Sequence, residues 1–195
     1  MARCGSMLVG STIDDMNRAK NIGTERLLLR RPVADDARDI FERYAGDEDV
    51  CRYLAWPRHT SIADTRQFLE FCDHEWARAA AGPYLIFEKD TGTLVGSTGL
   101  AFETPYRAST GYVFARDAWG RGYATEALLS MRALAGELGV QRLYAACHPA
   151  HDPSRRVLEK AGFQREGTLR RFSEFPNLAQ GVAMDVVCYS WVKEA

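Results

Sequence analysis

One stretch of this chain joins a strand to a helix through a turn that contains two glycines. Residues 112–127 read YVFARDAWGRGYATEA, an apolar run followed by Gly120-Arg121-Gly122. Over 124–138, apolar residues recur at steps of four and three, a spacing that predicts a long amphipathic helix. A chain with this pattern places the start of a helix directly behind a strand of its sheet.

The start of this predicted helix is suited to an anion. Backbone N–H groups in the first turn of a helix have no internal partners and point out of its end. Gly120 and Gly122 let a phosphate approach the backbone closely, and Arg116 and Arg121 add positive charge. We therefore expect the N–H groups of residues 121–125 to hold a dianion such as a pyrophosphate.

A glycine-rich turn before a helix can also be no more than a turn. The dinucleotide-binding fingerprint requires a third glycine three residues on, where this chain has Thr125. The GxxxxGK[ST] pattern of nucleotide triphosphatases does not fit the stretch either. The turn therefore needs a second motif beside it before it indicates a particular ligand.

Length and charge restrict the classes of protein to which the chain can belong. Its 195 residues suit one domain, with 1–23 as a poorly ordered lead-in and 24–195 as the domain. The net charge of −1 argues against bulk binding of nucleic acid, and no apolar run reaches the ~20 residues of a membrane span. The five cysteines form no CxxC pair and segment 1–23 lacks a secretory apolar core, so we expect a cytoplasmic protein with reduced thiols.

The hydrophobic period predicts a mixed α/β domain in the order β-α-α-β-β-β-α-β-α-β-β. The expected strands cover 25–31, 84–88, 94–102, 109–115, 141–147, 163–171 and 182–192. The expected helices cover 34–45, 61–80, 124–138 and 154–161. Between the first two helices, 47–60 is expected to form a polar loop that carries Tyr53 and Trp56.

A second motif lies at 148–163, where HPAHDPSRRVLEKAGF predicts a loop, a short helix, a glycine stop and an aromatic residue. With it, the chain resembles the GNAT superfamily of acetyl-CoA-dependent N-acetyltransferases, and within it the RimJ/RimL branch of ribosomal-protein N-terminal acetyltransferases. The segments ERLLLRRPVADDA, WGRGYATEA and SRRVLEKAGFQREGTLRR carry the likeness, which spans about 24–192. The resemblance implies a single-domain fold with a mixed, mostly antiparallel central sheet flanked by helices.

The resemblance also implies where acetyl-CoA binds and which groups act on it. In the family, backbone amides of the turn at 117–122 and of the following helix hold the pyrophosphate, and an amide of the preceding strand, here Phe114, polarises the thioester carbonyl. Leu158 stands where many members have a tyrosine that protonates the thiolate, so Ser154 is the candidate general acid. The implied cofactor contacts are made by Tyr112, Phe114, Arg116, Gly120, Arg121, Gly122, Tyr123, Ala124, Thr125, His151 and Ser154.

Besides Leu158, two positions of these motifs depart from the family pattern. Asp117 replaces the usual Gln or Arg, and we expect it to point away from the phosphate or to pair with Arg116 or Arg121. His151 stands where the family has an asparagine, and its imidazole can still donate and accept hydrogen bonds.

A base or a water relay must remove the proton of the attacking amine. The resemblance to the ribosomal-protein enzymes points to a glutamate after the second motif, and Glu174 is nearest by spacing. Glu174 can also be an exposed loop carboxylate, and Glu103 and Asp185 are alternatives. Residues 147–152 contain Cys, two His and Asp, but no second ligand cluster accompanies them, so no metal site is expected.

Together, the resemblance implies an N-acetyltransferase that moves the acetyl group of acetyl-CoA directly to a primary amine. The acceptor is a protein N-terminus or a small-molecule amine, because a fold does not determine its substrate. The alternative is a CoA-binding sensor or interaction module without catalysis. No nucleic-acid or membrane partner is expected, and the protein is a monomer or a homodimer.

Overall fold

The computed structural model describes residues 21–194, and eight strands in this part of the chain form one sheet. The strands are β1 (Ile22–Gly23), β2 (Leu27–Arg30), β3 (Pro83–Glu88), β4 (Leu94–Thr104), β5 (Arg107–Phe114), β6 (Arg142–Cys147), β7 (Gln164–Phe175) and β8 (Ala179–Val192). Their order across the sheet is β1-β2-β3-β4-β5-β6-β8-β7, and all neighbours are antiparallel except β5 and β6. The expected mixed, mostly antiparallel sheet is confirmed.

Helices cover both faces of this sheet. Helix α1 spans 34–45 and changes from a 3₁₀ turn (Ala34–Asp36) through an α-helical turn (Ala37–Ile40) to a π turn (Phe41–Ala45). The remaining helices are α2 (Glu48–Cys51), α3 (Ile62–Arg78), α4 (Tyr123–Glu137) and α5 (Asp152–Lys160). No helix within residues 21–194 combines the length and the apolar character needed to cross a membrane.

The apolar residues form two buried clusters, one on each face of the sheet. The larger cluster joins the apolar stripe of α4, including Leu128 and Met131, to inward-facing residues of the strands and to Leu158 of α5. The smaller cluster joins α1 and α3 to Leu85 and Leu94 on the other face. The stripe that predicted an amphipathic α4 is therefore core, and it holds the start of this helix against β5.

Strands β5 and β6 are neighbours at one end only. Residues 107–109 of β5 pair with 142–144 of β6, and no further pair follows. β5 continues to Phe114 along β4, whereas β6 continues to Cys147 along β8. The two strands therefore separate after three residue pairs, and a gap opens in the middle of the sheet.

The structure differs from the sequence-based expectation at the start of the domain. Ile22 and Gly23, which we expected to belong to the poorly ordered lead-in, pair with Leu29 and Leu28 as strand β1. Backbone pairing has no hydrophobic pattern of its own in so short a segment, so no sequence pattern indicated this strand. The rest of the lead-in, 1–20, lies outside the described residues.

The predicted polar loop at 47–60 also contains structure that the sequence analysis missed. Its first residues form α2, which begins because the Asp47 carboxylate accepts hydrogen bonds from the N–H groups of Asp49 and Val50 at 2.9 and 3.0 Å. An aspartate three residues before a hydrophobic position is an N-cap signal that the polar composition concealed. This turn of helix places Tyr53 and Trp56 over the gap between β5 and β6.

Close approach of β4 to β5 at Gly96 yields a test of this arrangement. A Cβ at Gly96 would overlap the Val113 carbonyl oxygen and lie 3.0 Å from the Phe114 ring. We expect Gly96→Ala to lower the free energy of unfolding by roughly 1–3 kcal/mol through overpacking, as measured by denaturant unfolding. Gly111→Ala on β5 is the matched control, because a Cβ there meets nothing within 4 Å. Equal stability of the two variants would contradict the close approach.

Candidate active site

The gap between β5 and β6 opens into two adjoining cavities. The larger cavity, about 790 Å³, lies against the start of α4 and against α5. The smaller cavity, about 550 Å³, lies between the two separating strands, α3 and β7. Both cavities are lined by Tyr53, Leu54, Tyr112, Val113, His151 and Ser154. A reactant in one cavity can therefore meet a reactant in the other at these shared residues.

The edge of β5 offers backbone donors to this meeting point. The Ala115 N–H donates to the Val95 carbonyl of β4 at 2.9 Å. In an antiparallel pair, backbone groups of successive residues point alternately towards and away from the neighbouring strand. The N–H groups of Phe114 and Tyr112 therefore point away from β4, into the gap. The Phe114 carbonyl, on the same side, accepts a hydrogen bond from the Trp119 indole at 2.8 Å.

The start of α4, where the sequence analysis expects a dianion to bind, lines the larger cavity. Gly122 caps the helix in the left-handed conformation with φ +82°, and the first intrahelical bond runs from the Glu126 N–H to the Gly122 carbonyl at 3.2 Å. The preceding N–H groups of residues 123–125 consequently have no partner inside the helix. Gly120, Gly122 and these three residues all line the larger cavity.

Positive side chains surround the larger cavity. Its lining includes four basic residues, Arg52, Arg116, Arg156 and Lys160, and a single acidic one, Asp49, among the described residues. Asp49 forms an ion pair with Arg116, so this arginine is partly neutralised. The remaining cations and the helix start together favour a ligand with several negative charges.

Arg26 holds the glycine turn in place, a role that the sequence did not reveal. Its guanidinium donates to the Arg121 carbonyl at 2.9 Å and to Glu126 at 2.8 Å. Partial burial pushes the pKa of Glu126 up, but hydrogen bonds from Thr24 and Arg26 outweigh it and keep this pKa below its ordinary value. The start of β2 is thereby tied to the first turn of α4, across about 100 residues of chain.

Two charged residues of the turn form ion pairs with distant elements. The Arg121 side chain pairs with Glu88, and Arg121 is not among the described residues that line the larger cavity. Asp117 does not line that cavity either, in agreement with the expectation that it points away from the phosphate, and its partner is Arg43, at 2.8 and 2.9 Å. Neither partner could be identified from sequence, because each lies on a distant element.

Ser154 and Tyr112 form a hydrogen-bonded pair at the junction of the cavities. The Ser154 Oγ lies 2.9 Å from the Tyr112 hydroxyl oxygen. The Tyr112 hydroxyl also donates a hydrogen bond to the Ser154 carbonyl oxygen at 3.1 Å. Burial raises the pKa of Tyr112 well above its ordinary value, so the phenol keeps its proton. A protonated phenol on β5 therefore lies beside the serine hydroxyl.

His151 lies beside this pair and is half-buried. Its ring stacks on Tyr53 at 4.9 Å between centroids, and His148 stacks on Tyr53 as well, at 5.1 Å. Burial lowers the pKa of His151, and the neighbouring His148 lowers it further, while Asp152 opposes them. The imidazole that replaces the family's asparagine is thus predominantly neutral near pH 7 and able to accept a proton.

The carboxylates considered as bases lie outside both cavities. Phe172, Ser173 and Phe175 line the smaller cavity, whereas Glu174 is exposed and is not among the residues that line it. Glu103 is bound to Arg107 and to Tyr144, and Asp185 accepts the Arg171 N–H at 2.9 Å. The structure therefore does not bring Glu174 to the site where we expected it.

Asn177 fastens the wall of the smaller cavity. Its amide nitrogen donates to the carbonyls of Cys51 and Trp56 at 2.7 and 2.9 Å, and its amide oxygen accepts the Arg58 N–H at 2.8 Å. The turn between β7 and β8 is thereby joined to the segment that carries Tyr53 and Trp56. An asparagine in a polar turn carries no sequence signal for such a role.

Metal-ligating side chains do not gather in this region. Within the described residues, no three His, Cys, Asp or Glu side chains are grouped so that they could hold a metal ion. Cys147 is buried on β6, and burial raises the pKa of its thiol. The site is accordingly built from backbone amides, hydroxyls and imidazole.

Comparison with known proteins identifies the family and the fold of this chain. A family model described as an acetyltransferase (GNAT) domain matches residues 26–164. The uncharacterized N-acetyltransferase p20 of Bacillus licheniformis is 30% identical over 173 residues, which are 87% of this chain and 94% of that protein. A GNAT acetyltransferase from Bacillus anthracis superposes with a TM-score of 0.76 at 27% identity, over 89% of this chain and 98% of that chain. RimL, a ribosomal alpha-N-protein acetyltransferase in complex with coenzyme A, superposes with a TM-score of 0.78 at 21% identity, over 89% and 98% of the two chains.

The glycine turn provides a direct test of ligand placement. We expect Gly122→Asp to abolish CoA binding in a calorimetric titration, because it places a side chain and a negative charge where the helix start receives the phosphates. Gly139→Asp is the matched control, because Gly139 has nearly the same φ, +81° against +82°, but lies beyond the other end of α4. CoA binding by Gly122→Asp as tight as by Gly139→Asp would refute the placement.

Proposed function

The chain belongs to the GNAT family of acetyltransferases and uses acetyl-CoA as its acetyl donor, and we propose that it transfers the acetyl group directly to a primary amine. The observation that carries this proposal is the junction of the two cavities. Ser154 and His151 line both cavities there, and Phe114, whose N–H points into the gap, lines the larger cavity beside them. A donor in the larger cavity and an amine in the smaller one would meet at these three groups.

The larger cavity fits the donor. The amides at the start of α4 would receive the pyrophosphate, and Arg156 and Lys160 of α5 supply cations for further phosphate charge. Arg155 is instead paired with Asp152, so it is the less suitable of the two neighbouring arginines. The free edge of β5 would pair with the extended pantetheine arm, which leads to Phe114.

The chain's own groups would divide the chemistry among them. The amine nitrogen forms a bond to the thioester carbon as the C–S bond breaks, and the products are an amide and a free thiol. The Phe114 N–H would stabilise the negative charge that develops on the carbonyl oxygen. The Ser154 hydroxyl would give its proton to the leaving thiolate, and the Tyr112 hydroxyl at 2.9 Å could replace that proton.

His151 is our candidate for the group that accepts the amine proton. Glu174 does not line the smaller cavity, whereas His151 lines both cavities and its lowered pKa keeps the ring neutral. In this role, the imidazole would do more than replace the hydrogen bonds of the family's asparagine. The contact with the cofactor that the resemblance implies for this position is compatible with it.

The finer resemblance to the RimJ/RimL branch is part of the proposal as well. It is supported by the three segments that carry the likeness, and the acceptor of RimL is not transferred to this chain at 21% identity. The alternative of a CoA-binding sensor has no observation in its favour. The Ser154 hydroxyl and the His151 imidazole, which the proposed catalysis uses, line the cavity assigned to the donor.

The proposed acid is tested by Ser154→Ala. We expect kcat to fall by roughly 100-fold, because the thiolate then leaves without a proton, while the Kd of CoA changes little. A thiol-release assay with acetyl-CoA and an amine, together with calorimetry, measures both quantities. Ser130→Ala is the matched control, because its hydroxyl bonds within α4 to the Ala127 carbonyl. An unchanged kcat would remove Ser154 from this role.

The proposed proton acceptor is tested by the pH dependence of kcat. The neutral ring is the active form, so kcat should fall as the pH drops through the lowered pKa of His151. His151→Asn should lower kcat and remove this acidic limb while leaving the Kd of CoA nearly unchanged. His148→Asn should keep the limb but move it to higher pH, because His148 helps to lower that pKa. An acidic limb that persists unchanged in His151→Asn would exclude the role.

A further inference from the structure

The two cavities differ in charge. The larger cavity has four basic residues in its lining, whereas no lysine or arginine lines the smaller one among the described residues. The one carboxylate that lines the smaller cavity, Glu75, pairs with Arg78 at 3.0 Å. Burial lowers the pKa of His59, which also lines this cavity, so its ring supplies little positive charge near pH 7. An anionic group in the smaller cavity would therefore meet no lysine or arginine side chain among the described residues of its lining.

The walls of the smaller cavity are rich in aromatic rings. Its lining includes Tyr53, Trp56, Phe68, Phe71, Tyr144, Phe172 and Phe175. Two of these rings, Phe71 on α3 and Phe172 on β7, are more than half exposed, at 53% and 55%. Large apolar side chains exposed together beside a cavity are a feature of ligand-binding grooves.

We propose that the acceptor is a primary amine with an aromatic body and no anionic group. This inference rests on the proposed transfer to a primary amine and names the class of that amine. A ring that packs among the aromatic walls would be held by area burial and by edge or offset contacts. A carboxylate or phosphate on the acceptor would lose its hydration without gaining an ionic partner, which is costly in an apolar cavity.

The same surroundings assist the reaction. An ammonium group loses hydration when it enters an apolar cavity, so its deprotonated form becomes more favourable there. The neutral amine is the nucleophile, and less is then required of the group that accepts its proton. The lack of a lysine or arginine among the described lining residues thus disfavours acceptors that carry a carboxylate or phosphate. The apolar walls favour the neutral, nucleophilic form of an uncharged aromatic amine.

Four acceptors that differ in one feature at a time test the inference: tyramine, tyrosinamide, tyrosine and glycinamide. In a thiol-release assay with acetyl-CoA, kcat/KM for tyramine and tyrosinamide should exceed that for tyrosine by roughly 100-fold or more, because only tyrosine brings a carboxylate. Glycinamide, which lacks the ring, should be as poor as tyrosine. Tyrosine turned over as well as tyramine would overturn the charge argument, and glycinamide turned over as well as tyrosinamide would overturn the aromatic one.

A variant at the cavity mouth tests the cause of the discrimination. Phe71 is exposed enough for Phe71→Arg to fold, and it would add the missing cation, with Phe71→Met as the uncharged control. The ratio of kcat/KM for tyramine to kcat/KM for tyrosine should fall by about ten-fold or more in Phe71→Arg and stay unchanged in Phe71→Met. An unchanged ratio would overturn the explanation through charge. If CoA binds but neither tyramine nor tyrosinamide is acetylated, the inference is overturned, whereas thiol release with tyrosine or glycinamide would still support transfer to a primary amine.

Discussion

The function of this fold depends on how few residue pairs join β5 to β6. Each strand has a longer antiparallel partner on its other side, β4 for β5 and β8 for β6, and each follows that partner. The parallel contact between them holds for three residue pairs, from Arg107 and Arg142 to Ser109 and Tyr144. A buried backbone N–H group without a hydrogen-bond partner is costly. The N–H groups of β5 beyond this point therefore favour a hydrogen bond to a bound ligand.

The separation of these strands also explains how one site can serve two reactants of different chemistry. On one side of the gap, the start of α4 lies together with Arg156 and Lys160 of α5 and with Arg52, which follows α2. Aromatic residues of α3, β7 and the loop that carries Trp56 gather on the other side. Tyr112, His151 and Ser154 are among the residues that line both cavities, so the side chains proposed to move protons lie where the two environments meet.

Much of the architecture was predictable because its local signals are strong. The glycine turn, the stripe from Ala124 to Leu138 and the alternation of β3 to β5 each express a period or a turn requirement of the backbone itself. The helix start and its free amides followed directly, and so did the need for a glycine in the tight turn at position 122, where φ is +82°. Strand β1 and helix α2 were missed, because each is too short for a period to develop.

The side-chain partners were largely beyond the reach of sequence. Arg26 acts on the turn from about 95 residues away, and Asp117 finds Arg43 on α1 rather than the arginines beside it. Glu174 had the correct residue type and nearly the correct spacing, but the irregular register of β7 leaves it exposed and outside the lining of the smaller cavity. His151 was expected as a cofactor contact in place of the family's asparagine, and its stacking on Tyr53 requires the loop from the opposite side of the gap.

The sequence by itself determined that the chain has a strand, a glycine turn and a helix in direct succession, and with them a place for the phosphates of a nucleotide-like donor. It did so because these features depend on residues close together in the chain. The tertiary structure alone decided which side chains line the second cavity, which carboxylates are excluded from it and that no lysine or arginine in the described part of the chain lines it. Those properties arise where β5, β6, α3 and β7 come together, and no local pattern records which residues distant elements bring into contact.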